Sequence, residues 1–462
     1  MQKSFFTLIQ KQNKGGAGMT PEEIKDYLDK RKYKELKDVL EDLHPVDIAE
    51  LLEEFNDDKQ IILAFRLLAK EDAAEVFTYL NSDMQETLIN ALTDSELEEI
   101  MEEMYLDDTA DILEEMPANV VDRLLMMTDE ETRKQINILL NYPEDSAGSI
   151  MNVDYIGLRK DMTVGEAILK IRQVGLNRET IYTCYVTEKR KLIGVVDVKD
   201  LLTTGDNTKI EEIMDTATLF AYTHDDQEDV ATSIKKYGLV AMPIVDYEQC
   251  MVGIVTVDDA MMVLQEEATE DISVMAGMSP NEDDYFGTSV LKHAKNRCPW
   301  LLFLMLSATF SGLALDHYAP VLAAMPILNT FVPMLTGTGG NCGSQSSTLM
   351  IRGISVGEIE FKDIFKVMFK ELRIALVVGV FLAIANGIRV VIMYDQPMLA
   401  FVLGLTLVAV VCIAKLIGCV LPMAAKKCGL DPALMAAPLI STILDTTTVV
   451  VYFTIASRIF HI

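Results

Sequence analysis

Charge and hydrophobicity are divided between two parts of this 462-residue chain. The segment from Cys298 to Ile462 contains eight acidic and ten basic residues, whereas the first 297 residues contain 62 acidic and 30 basic ones. A single soluble globule does not separate its charges in this way, and an apolar content of 50% excludes intrinsic disorder. We therefore predict a strongly acidic soluble part joined to a membrane part. Its acidity favours cations as ligands and excludes nucleic acid as a partner.

Five apolar segments of the membrane part are long enough to cross about 30 Å of hydrocarbon as helices. Pro326, Pro333 and the glycine cluster after Leu335 predict that the second segment is kinked or interrupted. The segments lie near 298–317, 320–349, 372–394, 398–423 and 433–459.

The positions of Lys and Arg around these segments predict the orientation of the chain. Basic residues precede the first and fifth segments and lie between the second and third. The loops around Asp316–Tyr318 and Tyr394–Pro397 contain neither Lys nor Arg. By the positive-inside rule, we expect a multi-pass protein of the cytoplasmic (inner) membrane with its N-terminal part in the cytosol and its C-terminus outside.

Residues 20–140 have a helical pattern with a loose internal repeat, seen in DIAELLEEF (47–55), DAAEVFTYL (72–80) and DTADILEEM (108–116). The irregular spacing predicts a short superhelical stack of helices. Residues 93–131 contain fifteen acidic residues and one basic one, a run that is also typical of a solvated helix face. Asp107 and Asp111 are one turn apart, so their carboxylates repel each other unless a cation lies between them.

Two later stretches align with each other. One runs from Ile150-Met151 to LIGVVDVKDLL (192–202) and the other from Ile213-Met214 to MVGIVTVDDAMM (251–262). Together they resemble a tandem pair of CBS domains, each a small sheet with two helices. Such pairs often bind adenosine nucleotides, and the resemblance assigns ribose contacts to Thr256, Asp259 and Asp200. A pair that serves only as a dimerising hinge is the alternative.

The densest motif of the membrane part is PMLTGTGGNCGSQ (333–345). Four glycines at membrane depth fit a backbone that lines water or packs closely against another helix. Packing alone does not require Asn341 and Gln345, so the motif favours a role in lining a pore.

Asp445 is the one acidic residue deep within the five segments as drawn. A charge at the bilayer centre costs about 2.5–3.5 kcal/mol on insertion scales, and such residues usually mark an ion path. An Asp capped by its neighbouring threonines is the alternative. Carboxylate and small polar oxygens suit hydrated Mg²⁺, whereas the absence of a His or Cys ligand set disfavours zinc and copper.

Three motifs are the most specific: GTGGNCGSQ (337–345), EEATEDI (266–272) and DPALMAAPLISTILD (431–445). With the domain order, they resemble the MgtE family of magnesium channels over essentially the whole chain. The resemblance implies a homodimer in the lipid bilayer with its pore on the two-fold axis. The implied order is an acidic helical domain (1–142), two CBS domains (143–205 and 206–268), a connecting helix (269–297) and a five-helix transmembrane domain (298–462).

The resemblance also implies site residues. Asp445 of both protomers would hold hydrated Mg²⁺, and Ser441, Asn341 and Gly337 would line the path. The family's cytosolic sensor residues correspond here to Glu75, Asp107, Asp111, Glu228, Asp259, Glu267, Glu270, Asp271 and Asp431.

Four residues depart from the family pattern. Gly238 and Met262 stand where sensor carboxylates are expected, so fewer ions are predicted at the CBS interface. Ser344 replaces an Asn in the glycine motif. Lys415 lies inside the fourth segment. If its side chain faced Asp445, it would weaken cation binding. The alternatives are that the side chain points away from the pore or reaches the cytosolic interface.

These features predict a Mg²⁺-selective channel that imports magnesium and closes when cytosolic Mg²⁺ bridges the acidic surfaces. A divalent-cation carrier (Mg²⁺/Co²⁺) with alternating access is the alternative, and a membrane-bound sensor without transport is a third hypothesis. Enzymatic activity is not expected, because neither a Gly-Lys-Ser/Thr phosphate loop nor a nucleophile–base pair is recognisable. The expected ligands are Mg²⁺ and ATP or another adenosine nucleotide at the CBS pair.

Overall fold

The computed structural model describes residues 20–55, 57–280, 285 and 288–461. They form two compact units that meet in sequence between Leu264 and Gln265. The predicted segments 1–142 and 269–297 therefore lie partly outside the described residues.

Residues 20–139 of the described chain form ten short helices. Most of them pack against the next helix but one, which gives the predicted stack. Their bounds are α1 Pro21–Asp29, α2 Tyr33–Leu40, α3 Pro45–Glu53, α4 Asp58–Phe65, α5 Lys70–Tyr79, α6 Ser82–Ala91, α7 Asp94–Met101, α8 Leu106–Glu115, α9 Ala118–Met127 and α10 Glu130–Leu139.

Side chains satisfy backbone groups at the ends of these short helices. Thr93 begins α7 with a capping box, in which its hydroxyl accepts from the Glu96 amide and the Glu96 carboxylate accepts from the Thr93 amide. Arg123, the single basic residue of the acidic run, donates to the carbonyl oxygens of Ile89 (2.6 Å) and Leu92 (3.1 Å). It thereby satisfies backbone groups at the end of α6, where a helix leaves its carbonyls unpaired.

The tandem repeat folds as two matching α+β modules. Each has a three-stranded sheet in which the first strand is parallel to the second and the second antiparallel to the third. The first module contains β1 Gly157–Leu158, α11 Val164–Val174, β2 Thr183–Glu188, β3 Lys191–Asp197 and α12 Val198–Thr203. Helix α13 Ile210–Ile213 follows, and the second module contains β4 Ala221–Tyr222, α14 Gln227–Tyr237, β5 Ala241–Val245, β6 Met251–Thr256 and the start of α15 Val257–Met275.

The two modules exchange the segments that precede them. Asn152 pairs with Ile254 on β6 of the second module, while Asp215 pairs with Val195 on β3 of the first. Glycine is required at both contacts. A Cβ on Gly253 would lie 2.8 Å from the carbonyl oxygen of Asn152, and a Cβ on Gly194 would lie 2.8 Å from that of Asp215. Each of these preceding segments, which we call lead segments, thus belongs to the sheet of the other module.

Unit 265–462 is built from long helices. Four helices of the described residues are long and apolar enough to cross a membrane: α16 Val290–His317, α19 Ile364–Tyr394, α20 Pro397–Lys427 and α21 Ala437–Phe460. The predicted second span is divided into α17 Ala319–Ala324, a 3₁₀ turn at Pro326–Phe331 and α18 Val332–Ser355. The count of five spanning helices therefore stays a prediction, because α18 is rich in glycine and small polar residues.

The predicted interruption of the second segment lies before the glycine cluster and not within it. Helix α18 continues from Val332 through all four motif glycines to Ser355, with Pro333 in its first turn. Proline is tolerated at that position because the first amides of a helix lack intrahelical acceptors in any case. The expectation that the glycines themselves break the helix is therefore wrong.

The connection between the units also differs from the predicted 269–297 helix. Helix α15 runs from the second module to Met275, so the predicted boundary at 268 lies inside it. Gly277 has a φ of +72° and follows the helix, and Met278 N–H bonds back to the Ser273 carbonyl. This left-handed glycine ends α15, and the next described helix begins at Val290.

Candidate metal centres

A group of carboxylates, which we call the acidic cluster, collects around the first turn of α8. Asp107, Asp108 and Asp111 lie on α8, and Asp259 lies in the first turn of α15. Other members come from α5 and from the loops and helix starts of the two modules. The cluster consists of Glu75, Asp107, Asp108, Asp111, Glu179, Asp258 and Asp259, whose charges act on one another.

One neutral side chain bridges the cluster. Asn152 is fully buried, and its Nδ2 donates to Asp107 Oδ1 and to Glu179 Oε2, both at 3.1 Å. The Asn152 side-chain oxygen accepts from the Asp154 amide at 2.6 Å, which fixes the orientation of the amide group. The lead segment of the first module therefore ties α8 to the loop that carries Glu179.

Burial and mutual repulsion raise the pKa values of five of these carboxyl groups, those of Asp107, Asp108, Asp111, Glu179 and Asp259. Burial, followed by the charges of Asp108 and Asp259, raises the pKa of Asp107 well above its ordinary value. Burial and Asp259 raise the pKa of Asp108 to about 6 and that of Glu179 to about 7. The pKa of Asp111 rises to about 7 through close packing and the charge of Asp108, although its side chain is the most exposed of the three on α8.

Four of the carboxylates lie in the first turns of helices, where negative charge is favoured. Asp107 and Asp108 lie in the first turn of α8, and Asp258 and Asp259 lie in the first turn of α15. Unpaired amides and the helix dipole stabilise negative charge there. Sequence reasoning singled out Glu75, Asp107, Asp111 and Asp259 but missed Asp108, Glu179, Asp258 and the bridging Asn152, although the adjacent acidic pair on α8 was a usable signal.

The acidic cluster offers oxygen donors alone, which is the ligand chemistry of Mg²⁺. Within the described ranges, no three His, Cys, Asp or Glu side chains are close enough to hold one ion directly. A cation held there would have to keep part of its water shell, which Mg²⁺ sheds reluctantly.

The predicted nucleotide residue Thr256 is engaged in this same region. Its hydroxyl lies 2.6 Å from Asp259 Oδ2 and its side chain is buried. Asp200, the equivalent acidic residue of the first module, is exposed on α12. The two modules therefore differ. The candidate ribose position of the second module lies among carboxylates that repel phosphate, whereas that of the first module is exposed to solvent.

A second pair of predicted carboxylates lies in unit 265–462. Asp431 caps the 3₁₀ turn Pro432–Met435 by accepting from the Ala433 amide at 2.7 Å. Burial and the charge of Asp431 raise the pKa of Asp271 on α15. The two groups are therefore close together, and their assignment to a cation sensor stays a prediction.

The other predicted sensor positions also lie on helices. Glu228 lies in the first turn of α14, and Glu267 and Glu270 lie on α15 between Asp259 and Asp271. Gly238 ends α14 at a φ of +65°, which explains why glycine stands where a carboxylate was expected. Met262 is an exposed residue of α15.

The glycine motif packs α18 tightly against α21. A Cβ on Gly340 would lie 3.1 Å from Ser441 Oγ, and one on Gly339 would lie 2.8 Å from Thr448 Oγ1. Ser441 and Thr448 are one turn on either side of Asp445. The Asp445 carboxylate is consequently at the level of the motif glycines.

Asp445 is half-buried and is not capped by the threonines beside it. Thr446 Oγ1 pairs with Ser311 Oγ at 2.7 Å, and Thr447 donates to the Ile443 carbonyl at 2.9 Å. Among the described residues none forms a hydrogen bond or ion pair with the Asp445 carboxylate. The alternative of a capped structural Asp is therefore excluded within the described chain.

The other predicted path residues share one exposed face of α18. Gly337, Asn341 and Gln345 are separated by four residues each, and all three are exposed. The buried face of the same helix carries Gly339 and Gly343. The helix therefore carries packing glycines on one face and polar side chains on another, and the pore-lining role of the polar face stays a prediction.

Lys415 does not face Asp445 but pairs with Glu371. Its Nζ lies 3.6 Å from Glu371 Oε2 and donates to Ser346 Oγ at 3.1 Å. Both charged side chains are 6% exposed. Sequence reasoning missed Glu371 because the third span was drawn from residue 372, one position beyond it.

Comparison with known families agrees with this organisation. Residues 332–455 match the family described as a divalent cation transporter, MgtE, and residues 43–145 match the MgtE intracellular N domain. Residues 147–205 and 210–266 each match a CBS domain. A transport family of this kind, with several long apolar helices, indicates a multi-pass membrane protein and not an enzyme.

Similar solved structures cover the soluble part of the chain. The cytosolic domain of the Mg²⁺ channel MgtE, crystallised in complex with ATP, is 36% identical and has a TM-score of 0.50. It covers 52% of this chain and 98% of that one. The soluble part of a magnesium transporter is 27% identical, with a TM-score of 0.50, and covers 53% of this chain and 96% of that one.

Curated relatives extend over nearly the whole length. The magnesium transporter MgtE of Thermus thermophilus is 35% identical across 91% of this chain and 94% of its own. The magnesium transporter MgtE of Bacillus subtilis is 31% identical across 93% of this chain and 95% of its own. With the helical domain, the paired modules and the glycine-rich helix in the same order, the chain belongs to the MgtE family of magnesium transporters.

Proposed function

We propose that the protein is a Mg²⁺-selective channel that imports magnesium across the cytoplasmic membrane and is closed by cytosolic Mg²⁺. The observation that carries the ion path is Asp445, a half-buried carboxylate on an apolar helix without a partner among the described residues. Placing such a group at membrane depth is unfavourable unless a cation or water meets it. The relatives are named as magnesium transporters, which supports Mg²⁺ as that cation.

The path is proposed to lie between two copies of the chain. Within one copy, Asn341 and Gln345 are exposed on α18. Polar side chains rarely face lipid and usually face a partner helix or a water-filled cavity. A homodimer that encloses this face, with Asp445 and Ser441 from both copies and Gly337 at the wall, satisfies that requirement.

Closure by cytosolic Mg²⁺ is proposed to act through the acidic cluster and the pair Asp271–Asp431. Repulsion among the carboxylates opposes their approach, and a bound cation removes it. A ligand shifts a conformational equilibrium only by binding one state more tightly, and the state with close carboxylates binds the cation better. Glu228, Glu267 and Glu270 are proposed to complete the sensor.

An adenosine nucleotide is proposed to bind the first module. The related cytosolic domain that was crystallised with ATP supports a nucleotide site in the CBS pair. Asp200 is open to a ribose, whereas Thr256 and Asp259 belong to a region whose negative charge repels a triphosphate. We therefore favour Asp200 over Thr256 and Asp259 as the ribose contact.

Liposomes that contain the purified protein and a Mg²⁺-sensitive dye test the channel. Asp445→Asn should abolish influx, and Asp395→Asn, which removes an exposed carboxylate between α19 and α20, should leave it unchanged. Millimolar Mg²⁺ on the side of the soluble part should suppress wild-type influx.

Single-channel recording separates the two transport modes. Currents far above the turnover of a carrier support the channel, and their absence with intact influx supports the divalent-cation carrier instead. Influx that survives Asp445→Asn would move the ion path away from α21 and overturn the proposal.

A further inference from the structure

A buried ion pair joins three long helices around one hydroxyl group. Glu371 lies on α19, Lys415 on α20 and Ser346 on α18. Ser346 Oγ donates to Glu371 Oε2 at 2.7 Å, and Lys415 Nζ donates to Ser346 Oγ at 3.1 Å. Ser346 is fully buried, so the three groups satisfy one another away from solvent.

The pair lies beside the closest approach of α18 and α20. Gly418 packs directly on the carbonyl oxygen of Gly343, where a Cβ would collide. Lys415 precedes Gly418 by three residues, and Ser346 follows Gly343 by three. The ion pair and the backbone contact are therefore neighbours, one turn apart on each helix.

The adjacent residue ties α18 to the turn that precedes α21. Ser347 Oγ donates to the Met435 carbonyl at 2.5 Å. Met435 is the last residue of the 3₁₀ turn that Asp431 caps. Ser346 and Ser347 thus connect α18 to α19, α20 and the turn before α21.

The position of Ser346 determines which face of α18 is exposed. Gly339, Gly343 and Ser346 share the buried face, whereas Asn341 and Gln345 share the exposed one. A helix rotates as a rigid body over such short distances. Any rotation that takes Ser346 off the ion pair must turn Asn341 by the same angle.

We propose that Glu371 and Lys415 are positioning residues, which fix the rotation of α18 through Ser346 and so present Asn341 and Gln345 to the cation path. The proposal rests on the proposed function, because the path is defined there. Neither charge is assigned a contact with the transported ion.

Charge changes distinguish positioning from a direct electrostatic effect. Removing one member of a buried pair leaves an uncompensated charge, which is far more harmful than removing both. Positioning therefore predicts that Lys415→Met lowers Mg²⁺ flux, although it removes a positive charge near a cation path. A direct effect of Lys415 predicts the opposite, a higher flux.

The test compares Glu371→Gln, Lys415→Met, the double variant and the exchanged pair Glu371→Lys/Lys415→Glu in liposomes. Flux is normalised to protein that elutes as a single species in gel filtration. We expect each single variant to lose about tenfold in flux and the double variant to regain most of it. The exchanged pair should recover at least as much as the double variant.

A second readout does not depend on transport. Thr348 is exposed on α18, and Thr348→Cys can be labelled with a hydrophilic thiol reagent and quantified by mass spectrometry. Lys415→Met should change the labelling rate of Thr348→Cys, and the double variant should restore it. Ser346→Ala serves as a further variant where a single charge variant does not fold. It removes the hydroxyl link but leaves Glu371 and Lys415 paired, and it should change the labelling rate of Thr348→Cys.

Two results overturn the proposal: a higher flux in Lys415→Met, or flux and labelling that stay at the wild-type level in both single variants and in Ser346→Ala. Absence of flux in the wild-type protein would instead contradict the proposed function. In that case the labelling rates alone still decide whether the pair orients α18.

Discussion

Asn152 Nδ2 lies 3.1 Å from Asp107 Oδ1, and the same nitrogen is 3.1 Å from Glu179 Oε2. Asn152 contributes a dipole to the acidic cluster but no charge, so the charges of the seven carboxylates remain. An amide satisfies two acceptors without neutralising them. Protons or external cations must therefore neutralise the remaining negative charge, and both can be tested.

Asn152→Asp should destabilise the soluble segment 20–264 when divalent cations are absent. The new carboxylate cannot donate to Asp107, and it adds a like charge at a fully buried position. We expect the unfolding temperature to fall by about 4–10 °C and Mg²⁺ to restore much of the loss. Circular dichroism during heating, with and without Mg²⁺, measures both.

Asn119→Asp is the matched control, because Asn119 is an exposed residue of α9 and the charge change is the same. It should shift the unfolding temperature very little. Equal shifts in the two variants would mean that net charge matters and that the Asn152 bridge does not.

Acidification should stabilise the same segment. A carboxyl group whose pKa is raised by folding binds its proton more tightly in the folded state, so its contribution is present at low pH and is lost as the pH rises through the folded pKa. The pKa of Asp108 is about 6 and that of Glu179 is about 7. The unfolding temperature should therefore rise by about 2–4 °C between pH 8 and pH 6.

Mg²⁺ and protons should compete in this range. The stabilisation by Mg²⁺ should be larger at pH 8 than at pH 6, because protonated carboxyl groups no longer attract the ion. Glu179→Gln should weaken the pH dependence and the Mg²⁺ effect together. A Mg²⁺ effect that grows on acidification would contradict binding at the acidic cluster.

Much of the soluble part could be predicted because its determinants are local. Apolar periodicity predicted the helices of the stack, and internal similarity predicted two modules of the same topology. Similarity between repeats does not tell which sheet a segment joins, so the exchange of the lead segments at Asn152 and Asp215 was not predictable. The same limit hid the neighbourhood of Asp107 and Glu179, which are far apart in sequence.

In the membrane part, composition predicted the apolar helices but not their polar contacts. Lys415 was noticed as a charge inside a span, yet its partner Glu371 lay one residue outside the segment as drawn. The glycines suggested a broken helix, whereas α18 is continuous and close packing on Ser441 and Gly418 accounts for Gly340 and Gly343. Their role depends on neighbours that sequence alone does not identify.

Gly418→Ala should loosen the contact between α18 and α20. The added methyl group would collide with the Gly343 carbonyl oxygen, which is backbone and cannot turn aside. Gly387→Ala on α19 is the control, because nothing lies within 4 Å of its Cβ position. We expect Gly418→Ala to lower the unfolding temperature in detergent and Gly387→Ala to leave it unchanged or slightly raised. Equal stability of the two variants would contradict the close approach.

Thiol labelling of intact cells tests the predicted orientation. Cys428 is exposed at the end of α20, beside Lys426 and Lys427, and the positive-inside rule places it in the cytosol. A membrane-impermeant reagent should therefore label Cys428 only after the cells are opened. Asp395→Cys, in the loop between α19 and α20 that contains neither Lys nor Arg, should react in intact cells. Mass spectrometry assigns the label to each cysteine, so the other native thiols do not interfere. Reaction of Cys428 in intact cells would reverse the orientation and would put Asp431 on the outside, away from cytosolic Mg²⁺.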